Sequence, residues 1–529
     1  MQTSKHSFVS RPFAYGLSAL SLAVALVACG EKAAPPAASA PGSAPAASAA
    51  PAGDNVLRIA TSFKDRGTLA IEGDAAYNLM QAGATEALVR VTLDGKAHPA
   101  LATQWRRTGD TSWEFDLRTD VKFHDGSMLD SEAVVASLSH IMKAATPPRA
   151  LKGTGLVAEA VDADTVKIST TKPDPVLPLR LGGPSTAILA KGAFASDPVN
   201  PIGFSSGPYK ISKHEAGVGL TLERFDDYWG GKPQLAGVEV RFIADAAARF
   251  NALKVSEVHV ANSIAPNNVL EAKKDSALVA DNIELPRAST LYVNFTKPTL
   301  KNEKIRQAID LLIDRDAIVA AVLEGMGAPA AGYFGGVSWA PKAAARPADF
   351  LDQAKKLIAE SGVKPEDLKL NLMTYPGRPE LAATANVIKD NLEQGGFAIT
   401  LDVVDYNTVF EPKVMAKEHD LVLLSRSFYT DMPDAASFLA SDFGCEGSYN
   451  LNAFCEKDFD AIWQSAATAE KPEDRAAIFA KAAQYLIDHK VGLPVYNDTS
   501  RRVFSSRVKE AVHDPLDQHL VTHTTTLNP

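Results

Sequence analysis

Glu31 to Asp54 are 24 residues, 19 of them Ala, Pro or Ser. Such a stretch offers no large apolar side chain and no period, so it cannot join a core and reads as a tether. Whatever folds must come from the chain beyond about Val56. In a protein of 529 residues that remainder exceeds one ordinary core, so at least two lobes are expected. A hydrophobic fraction of 46% with 22% charged residues excludes both a polytopic membrane protein and a wholly disordered chain. The 54 Lys and Arg against 63 Asp and Glu leave a mild formal charge of −9, spread along the sequence. No basic stripe could neutralise a phosphate backbone, so nucleic acid is not an expected partner.

Upstream of the tether, Lys5 and Arg11 precede an apolar run from Phe13 to Val27. The run is short for a permanent span and ends in small residues. Leu26-Val27-Ala28-Cys29 resembles the bacterial lipobox, in which the cysteine is diacylated and becomes the first residue. Residues 1–28 are therefore read as a lipoprotein signal peptide and 29–54 as the tether, with lipid attachment at Cys29. An ordinary secretory signal or a short anchor helix is the alternative. More than one acyl chain on one residue suffices for stable anchoring. Fully extended as polyproline II, the tether would reach roughly 70 Å. The expected location is periplasmic, on a bacterial membrane through lipid only. Of the three cysteines, Cys445 and Cys455 then remain, on a loop containing Gly and Asn. In an oxidising compartment they are expected to form a disulfide. A two-thiol metal site is disfavoured, because the loop has no His and no C-x-x-C spacing.

The body reads as mixed α/β. Val56–Ala60, Trp113–Arg118, Asp164–Ser169, Leu220–Arg224 and Ile399–Val403 have strand character, as does Leu493–Tyr496. Asp130 or Ser131 caps a helix whose Val134, Val135, Leu138, Ile141 and Met142 share a face. Asn302 caps another with Ile305, Ala308, Ile309 and Leu312. Leu381, Ala385, Ile388 and Leu392 form a third stripe, ended at Gly395-Gly396. Ile478, Ala482, Tyr485 and Leu486 mark a last helix. Strands and helices alternate most cleanly between about 300 and 495, as in a doubly wound sheet. No internal repeat is visible. The sequence holds no G-x-S-x-G, H-E-x-x-H, Walker A or post-strand G-x-G-x-x-G motif, which favours binding over catalysis. His513, His519 and His523 gather near the end, on a segment read as a solvated tail rather than a metal site.

Five or six short elements, in order along nearly the whole body, resemble one family. They are Pro99-Ala-Leu-Ala-Thr-Gln-Trp105, Trp113-Glu-Phe-Asp-Leu-Arg-Thr-Asp-Val-Lys-Phe-His-Asp-Gly126, Ser206-Gly-Pro-Tyr-Lys-Ile211, Phe225-Asp-Asp-Tyr-Trp-Gly230 and Lys304-Ile-Arg-Gln-Ala-Ile309 with Asp314-Arg315. Together they resemble the peptide/nickel class, family 5, of bacterial extracytoplasmic solute-binding proteins that serve ABC importers. One departure is Ser256-Glu-Val-His259, where the family has Gly-Glu-(Val/Ile)-Asp. The resemblance implies an α/β, two-lobed periplasmic binding protein of type II, cluster C-like. Its first lobe would carry an extra subdomain, and its hinge would be two strands. On that pattern lobe I is 55–292 with a subdomain at about 95–204, completed by 498–529, and lobe II is 293–497. Crossings are expected near Thr290–Phe295 and Leu493–Asn497. The matched elements themselves read as scaffold and not as ligand contacts.

The same resemblance suggests where the solute sits. Leu423-Leu-Ser-Arg-Ser-Phe-Tyr-Thr-Asp-Met-Pro-Asp-Ala435 is similar to the W-T-G-D-x-x-D-P stretch of dipeptide binders, whose first Asp holds a peptide ammonium. That puts Asp431 at the ammonium, with Phe428 and Tyr429 as aromatic walls. The family's carboxylate-binding Arg falls at Tyr375, within Thr374-Tyr-Pro-Gly-Arg-Pro379, and Arg378 stands three residues on. Tyr429-Thr-Asp-Met-Pro-Asp-Ala also resembles the Y-G-N-x-P-D-P of nickel- and metallophore-binding relatives, with Arg426 near their binding Arg. The implied ligand is a peptide or similar amino-acid-like solute; a nickel or other metal chelate is the alternative. A sensory or chaperone-like lipoprotein is a third reading. No cofactor and no protein-held metal is expected, and the partners are an ABC permease and its ATPase. The protein is expected to be a monomer and not an enzyme.

Overall fold

The computed structural model describes residues 55–62, 67–73, 75–145, 147–148, 150–341, 345–376, 378–429 and 432–528. Cys29, the signal and tether segments, and Asp431 lie outside the described residues.

Two long strands organise the molecule. Leu278–Val293 and Gly492–Ser505 pair antiparallel from Leu278 opposite Ser505 to Tyr292 opposite Gly492. On one flank, Arg287 to Val293 pairs with Leu421–Ser427, which is parallel to Lys369–Thr374, itself parallel to Ala398–Val403. On the other flank, Arg502 to Phe504 pairs with Val260–Asn262, followed by Val56–Thr61, Gly237–Phe242, Gly219–Arg224 and Tyr209–Glu215. The same two strands therefore belong to two half-sheets, and each half-sheet gathers its own helices. This is the two-lobed α/β architecture. A separate four-stranded antiparallel sheet, Ala102–Gly109, Ser112–Leu117, Thr165–Ser169 and Val157–Ala160, packs under the helix Ser131–Lys143.

Local chemistry accounts for these elements. In Leu421–Ser427 the run Leu-Val-Leu-Leu is buried throughout, because the strand has neighbours on both edges and helices over it. The helix Pro379–Gln394 starts with Pro at its first position and buries Leu381, Ala385, Ile388 and Leu392 completely. It ends where Gly396 takes φ +101°. Each such side chain contributes about 1.5–3 kcal/mol by leaving water, Ala less. Asp130 and Asn302 cap their helices as expected, accepting from the amides of Ala133 and Lys304.

The two long strands shift register between Glu284 and Ala288. Pro286 lies in that gap. It has no N–H to give the ladder, and there Leu285, Pro286 and Arg287 stand against Asp498 alone. Its carbonyl accepts instead from the Phe428 amide at 3.0 Å and the Ser427 hydroxyl at 3.0 Å.

The end of the chain corrects one expectation. The segment carrying His513, His519 and His523 is a loop but not a solvated tail, since Leu516, Leu520 and Val521 are buried. The Leu520 amide donates to Gln81, the Gln234 amide donates to His523, and the Tyr209 hydroxyl donates to Thr522. The three apolar side chains leave water there, and Gln81, Tyr209 and Gln234 satisfy polar groups of the segment.

Candidate functional site

In open α/β sheets, ligands sit beyond the carboxyl ends of parallel strands. Here Lys369–Thr374, Ala398–Val403 and Leu421–Ser427 run parallel in one half-sheet. Their carboxyl ends point to the place where the two long strands pass between half-sheets. Tyr375 follows the first, Tyr406 the second, and Phe428 and Tyr429 the third. The amino end of the helix Pro379–Gln394 opens at the same place, with Arg378 at its cap position and its side chain left uncommitted to capping. Of the ligand contacts suggested by the sequence, Tyr375, Arg378, Phe428 and Tyr429 belong to segments that leave neighbouring strand ends, Arg426 lies within the third strand, and Asp431 is outside the described residues.

The aromatic groups divide into a layer near the site and a layer beneath it. Tyr375 packs edge-on against Tyr406 at 4.9 Å and Phe410 at 5.1 Å between ring centroids. The Tyr406 hydroxyl lies 3.2 Å from that of Tyr449. Phe428 is 2% exposed and meets Phe334 and Tyr429 at 5.1 and 4.6 Å. It is core under the site, whereas Tyr429 is nearer the surface. Arg426 forms a bidentate pair with the buried Asp442, at 2.6 and 2.7 Å, and lies 4.5 Å from the centre of the Tyr449 ring.

A set of charged residues not singled out from the sequence completes the place. Arg287 stands on the long strand opposite Ser427. Asp498, 2% exposed, accepts from the hydroxyls of Ser289 at 2.8 Å and of Ser425. Glu380 pairs with Arg501 at 2.8 Å, and both are buried. Burial raises the Asp498 carboxyl above its ordinary value, against the pull of Arg378 and Arg287. Burial, and then repulsion from Arg378, pushes Arg287 down to about 10. Burial also opposes the charge of Glu380, but Arg501 and Arg378 outweigh it and hold the carboxyl below its usual range. The signal available beforehand was charge inside strand-like runs, Pro286-Arg287 and Asn497-Asp498, which is costly unless partnered or used.

The family-like elements turn out to be scaffold. Ser206, Tyr228 and Trp229 all donate to Glu86, at 2.9, 2.8 and 3.0 Å. His124 lies 2.8 Å from the Gly207 carbonyl, and a side chain at Gly207 would collide with the Gly83 carbonyl 2.3 Å away. Arg306 donates to the carbonyls of Leu300, Lys301, His489 and Lys490. Cys445 and Cys455 form a disulfide. Among the described residues, no group of His, Cys, Asp and Glu could hold a metal ion, and no helix is long and apolar enough to cross a membrane.

Comparison with known proteins bears on the family and the fold. The model of the bacterial extracellular solute-binding proteins, family 5 (middle), matches residues 96–450. The chain is 28% identical over 352 residues to the nickel-binding protein NikA of Staphylococcus aureus, covering 66% of this chain and 70% of NikA. It is 25% identical over 459 residues to the dipeptide-binding protein of Escherichia coli, covering 80% and 84% of the two chains. Two solved structures share the fold. NikA of S. aureus in complex with Ni(L-His)2 has a TM-score of 0.79 at 23% identity, over 89% of this chain and 99% of that one. DppA of Helicobacter pylori in complex with the peptide STSA has a TM-score of 0.77 at 21% identity, over 90% and 98%.

Proposed function

Since the chain belongs to the bacterial extracellular solute-binding proteins of family 5, we propose that it is the substrate-binding lipoprotein of an ABC importer. It takes a peptide or similar amino-acid-like solute between its lobes and presents it to the permease and ATPase. The observation that carries this reading is the convergence of three parallel-strand ends and a helix amino end on the strand crossing. Lobes bounded as 55–292 with 498–529, and 293–497, put that convergence at their junction. A solute touching both sides would favour the closed form by hinge motion.

Within the site, Tyr375 and Tyr429 serve as aromatic walls and Asp431 as the ammonium partner. Arg378 is the available guanidinium. Arg426, engaged by Asp442, positions Tyr449, and Phe428 supports Tyr429 from below. The protein binds and does not catalyse. A lipid at Cys29 holds the monomer to the membrane, so Cys29→Ser is expected to release a folded protein into the soluble fraction.

The test is native mass spectrometry of protein purified without refolding, followed by calorimetry of the recovered solute on Asp431→Asn. Loss of the cation's charge partner is expected to weaken an amine-bearing solute by on the order of 2–5 kcal/mol. Unchanged affinity, or a solute without an amine, would remove Asp431 from this role. A metal chelate is the second reading, favoured by the likeness to NikA; a titration with nickel and free histidine separates the two.

A further inference from the structure

Away from the two long strands, the proposed lobes meet a second time. Arg107, on the strand Ala102–Gly109, donates through Nη1 to Glu470 at 2.5 Å, across 363 residues of chain. Arg107 belongs to the subdomain of the first lobe and Glu470 to the second lobe. The hairpin that leads into the same strand, Val89–Val91 with Ala97–Pro99, turns at Gly95. A side chain at Gly95 would lie 3.3 Å from the Pro433 carbonyl oxygen, so the turn's backbone rests against the loop Met432–Asp434 of the second lobe. Neither the hairpin nor the Ala102–Gly109 strand belongs to the sheet that carries the crossing.

Each side of this meeting is built within its own lobe. On the first, the Arg107 guanidinium is aimed by its own turn: Nε donates to the Gly109 carbonyl at 3.0 Å and Nη2 to the Asp110 carbonyl at 2.8 Å, which leaves Nη1 for Glu470. On the second, Arg475 grips Asp434 at 2.9 and 2.6 Å and donates also to the Ala469 carbonyl at 3.3 Å. One guanidinium thus ties the loop at Pro433 to the segment at Glu470 and makes them a single edge. Two edges shaped in advance lose little freedom when they come together. The Arg107 and Glu470 side chains are 27% and 69% exposed, so water can take the place of either partner when they part.

We infer that Arg107 and Glu470 form a latch between the lobes, made when the cleft closes and broken when it opens, with the Gly95 turn against the Pro433 loop as its stop. A hinge on the crossing strands must part every contact that lies off it, and a contact made in one state alone shifts the population toward that state. An exposed pair moves such an equilibrium only a few-fold, enough to slow release and little enough to give way. The two residues lie apart from the strand ends at which the solute is proposed to bind. They set how long it stays, not which solute enters. This rests on the reading of the chain as two lobes that close on a solute.

The test compares the full mature protein with Arg107→Glu, Glu470→Arg and the double reversal. The probes are a dipeptide pool and nickel with L-histidine, and release of whichever the parent binds is followed by stopped-flow tryptophan fluorescence. Each single reversal is expected to speed release roughly three- to ten-fold, with the on-rate and the unliganded melting temperature unchanged. The double reversal, which restores an opposite-charge pair, should return release to about the parent's rate. A merely structural ion pair would move the melting temperature and leave release alone. Should a reversal prevent folding, Glu470→Gln removes only the charge and is expected to speed release roughly two- to five-fold. Release at the parent's rate in the folded single variants, or a double reversal no slower than either single one, overturns the latch and leaves solute binding intact. A parent that binds neither probe overturns the two-lobed binding reading and the latch with it.

Discussion

Glu86 shows how one side chain can bind distant parts of a chain together. It collects hydroxyl or indole N–H donors from Ser206, Tyr228 and Trp229. Burial raises its pKa although all three hydrogen bonds oppose the rise. Glu86→Ala leaves those donors unsatisfied and is expected to cost about 2–4 kcal/mol. Glu86→Gln should cost far less, because it keeps an acceptor and removes a charge that burial already disfavours. Equal losses for the two variants in urea titrations would show that charge, not donor satisfaction, is what matters. Ser256 offers the opposite case. It follows the helix Ala246–Lys254 with φ +61°, where the family pattern has Gly. Ser256→Gly removes a left-handed strain and is expected to raise stability by ~0.5–1 kcal/mol, read as a higher melting temperature. The sequence alone exposes that departure, because pattern and position are local. It does not expose that Arg287 and Asp498 stand beside the candidate residues. Ser289 and Asp498 meet across 209 residues of chain, and no local pattern reports such a meeting. Arg426 is a candidate on the same local ground, but its commitment to Asp442, 16 residues on, is not legible there.

Among elements, those with a clean period were readable in advance. The helices over 131–143, 303–312 and 379–394 each present one apolar stripe and one side-chain or proline start signal. The long strand Leu278–Val293 was harder, because Asp281, Glu284, Pro286 and Arg287 break any alternation. Those residues do not face a uniform core: Asp281 meets His513, Glu284 accepts from Asn497, and Pro286 lies where the ladder skips. The expected crossing at Thr290–Phe295 therefore lies downstream of the register shift. The disulfide belongs to this scale as well. Cys445 and Cys455 bracket Tyr449, Asn450 and Asn452, and Asn450 donates to the Gly444 and Phe454 carbonyls. Replacing both cysteines by Ser is expected to cost about 2–3 kcal/mol through the freed loop. The loss should appear as a lower urea midpoint, and reductant should lower the parent's midpoint but not the variant's. Two free thiols in the unreduced protein would sink this.

For the molecule as a whole, acid is the expected denaturant. Asp310 and Glu380 keep folded pKa values below the ordinary 3.8 and 4.5. Burial works against both charges, and Arg315 with Lys490, and Arg501 with Arg378, outweigh it. A depressed carboxylate contributes stability above its unfolded pKa and loses it as pH falls through the folded one. Melting temperature should therefore hold near neutrality and fall once pH drops below about 4.5. Asp310→Asn should start lower at neutral pH and fall less steeply. A parent whose melting temperature is level down to strong acid would contradict the assignment.

The shared strands also set a clock. The Arg501 guanidinium reaches the Ile264 carbonyl across 237 residues, and the Tyr209 hydroxyl reaches Thr522 across 313. The first lobe, begun at Val56, cannot close its sheet or seal its core until the last stretch of chain has been made. Contacts at such separation form late and slowly. A nascent chain threaded outward amino end first would thus stay open for the whole of its passage and fold only when its carboxyl end arrives. A chain cut at residue 490 should leave the first half unable to fold, not merely shortened.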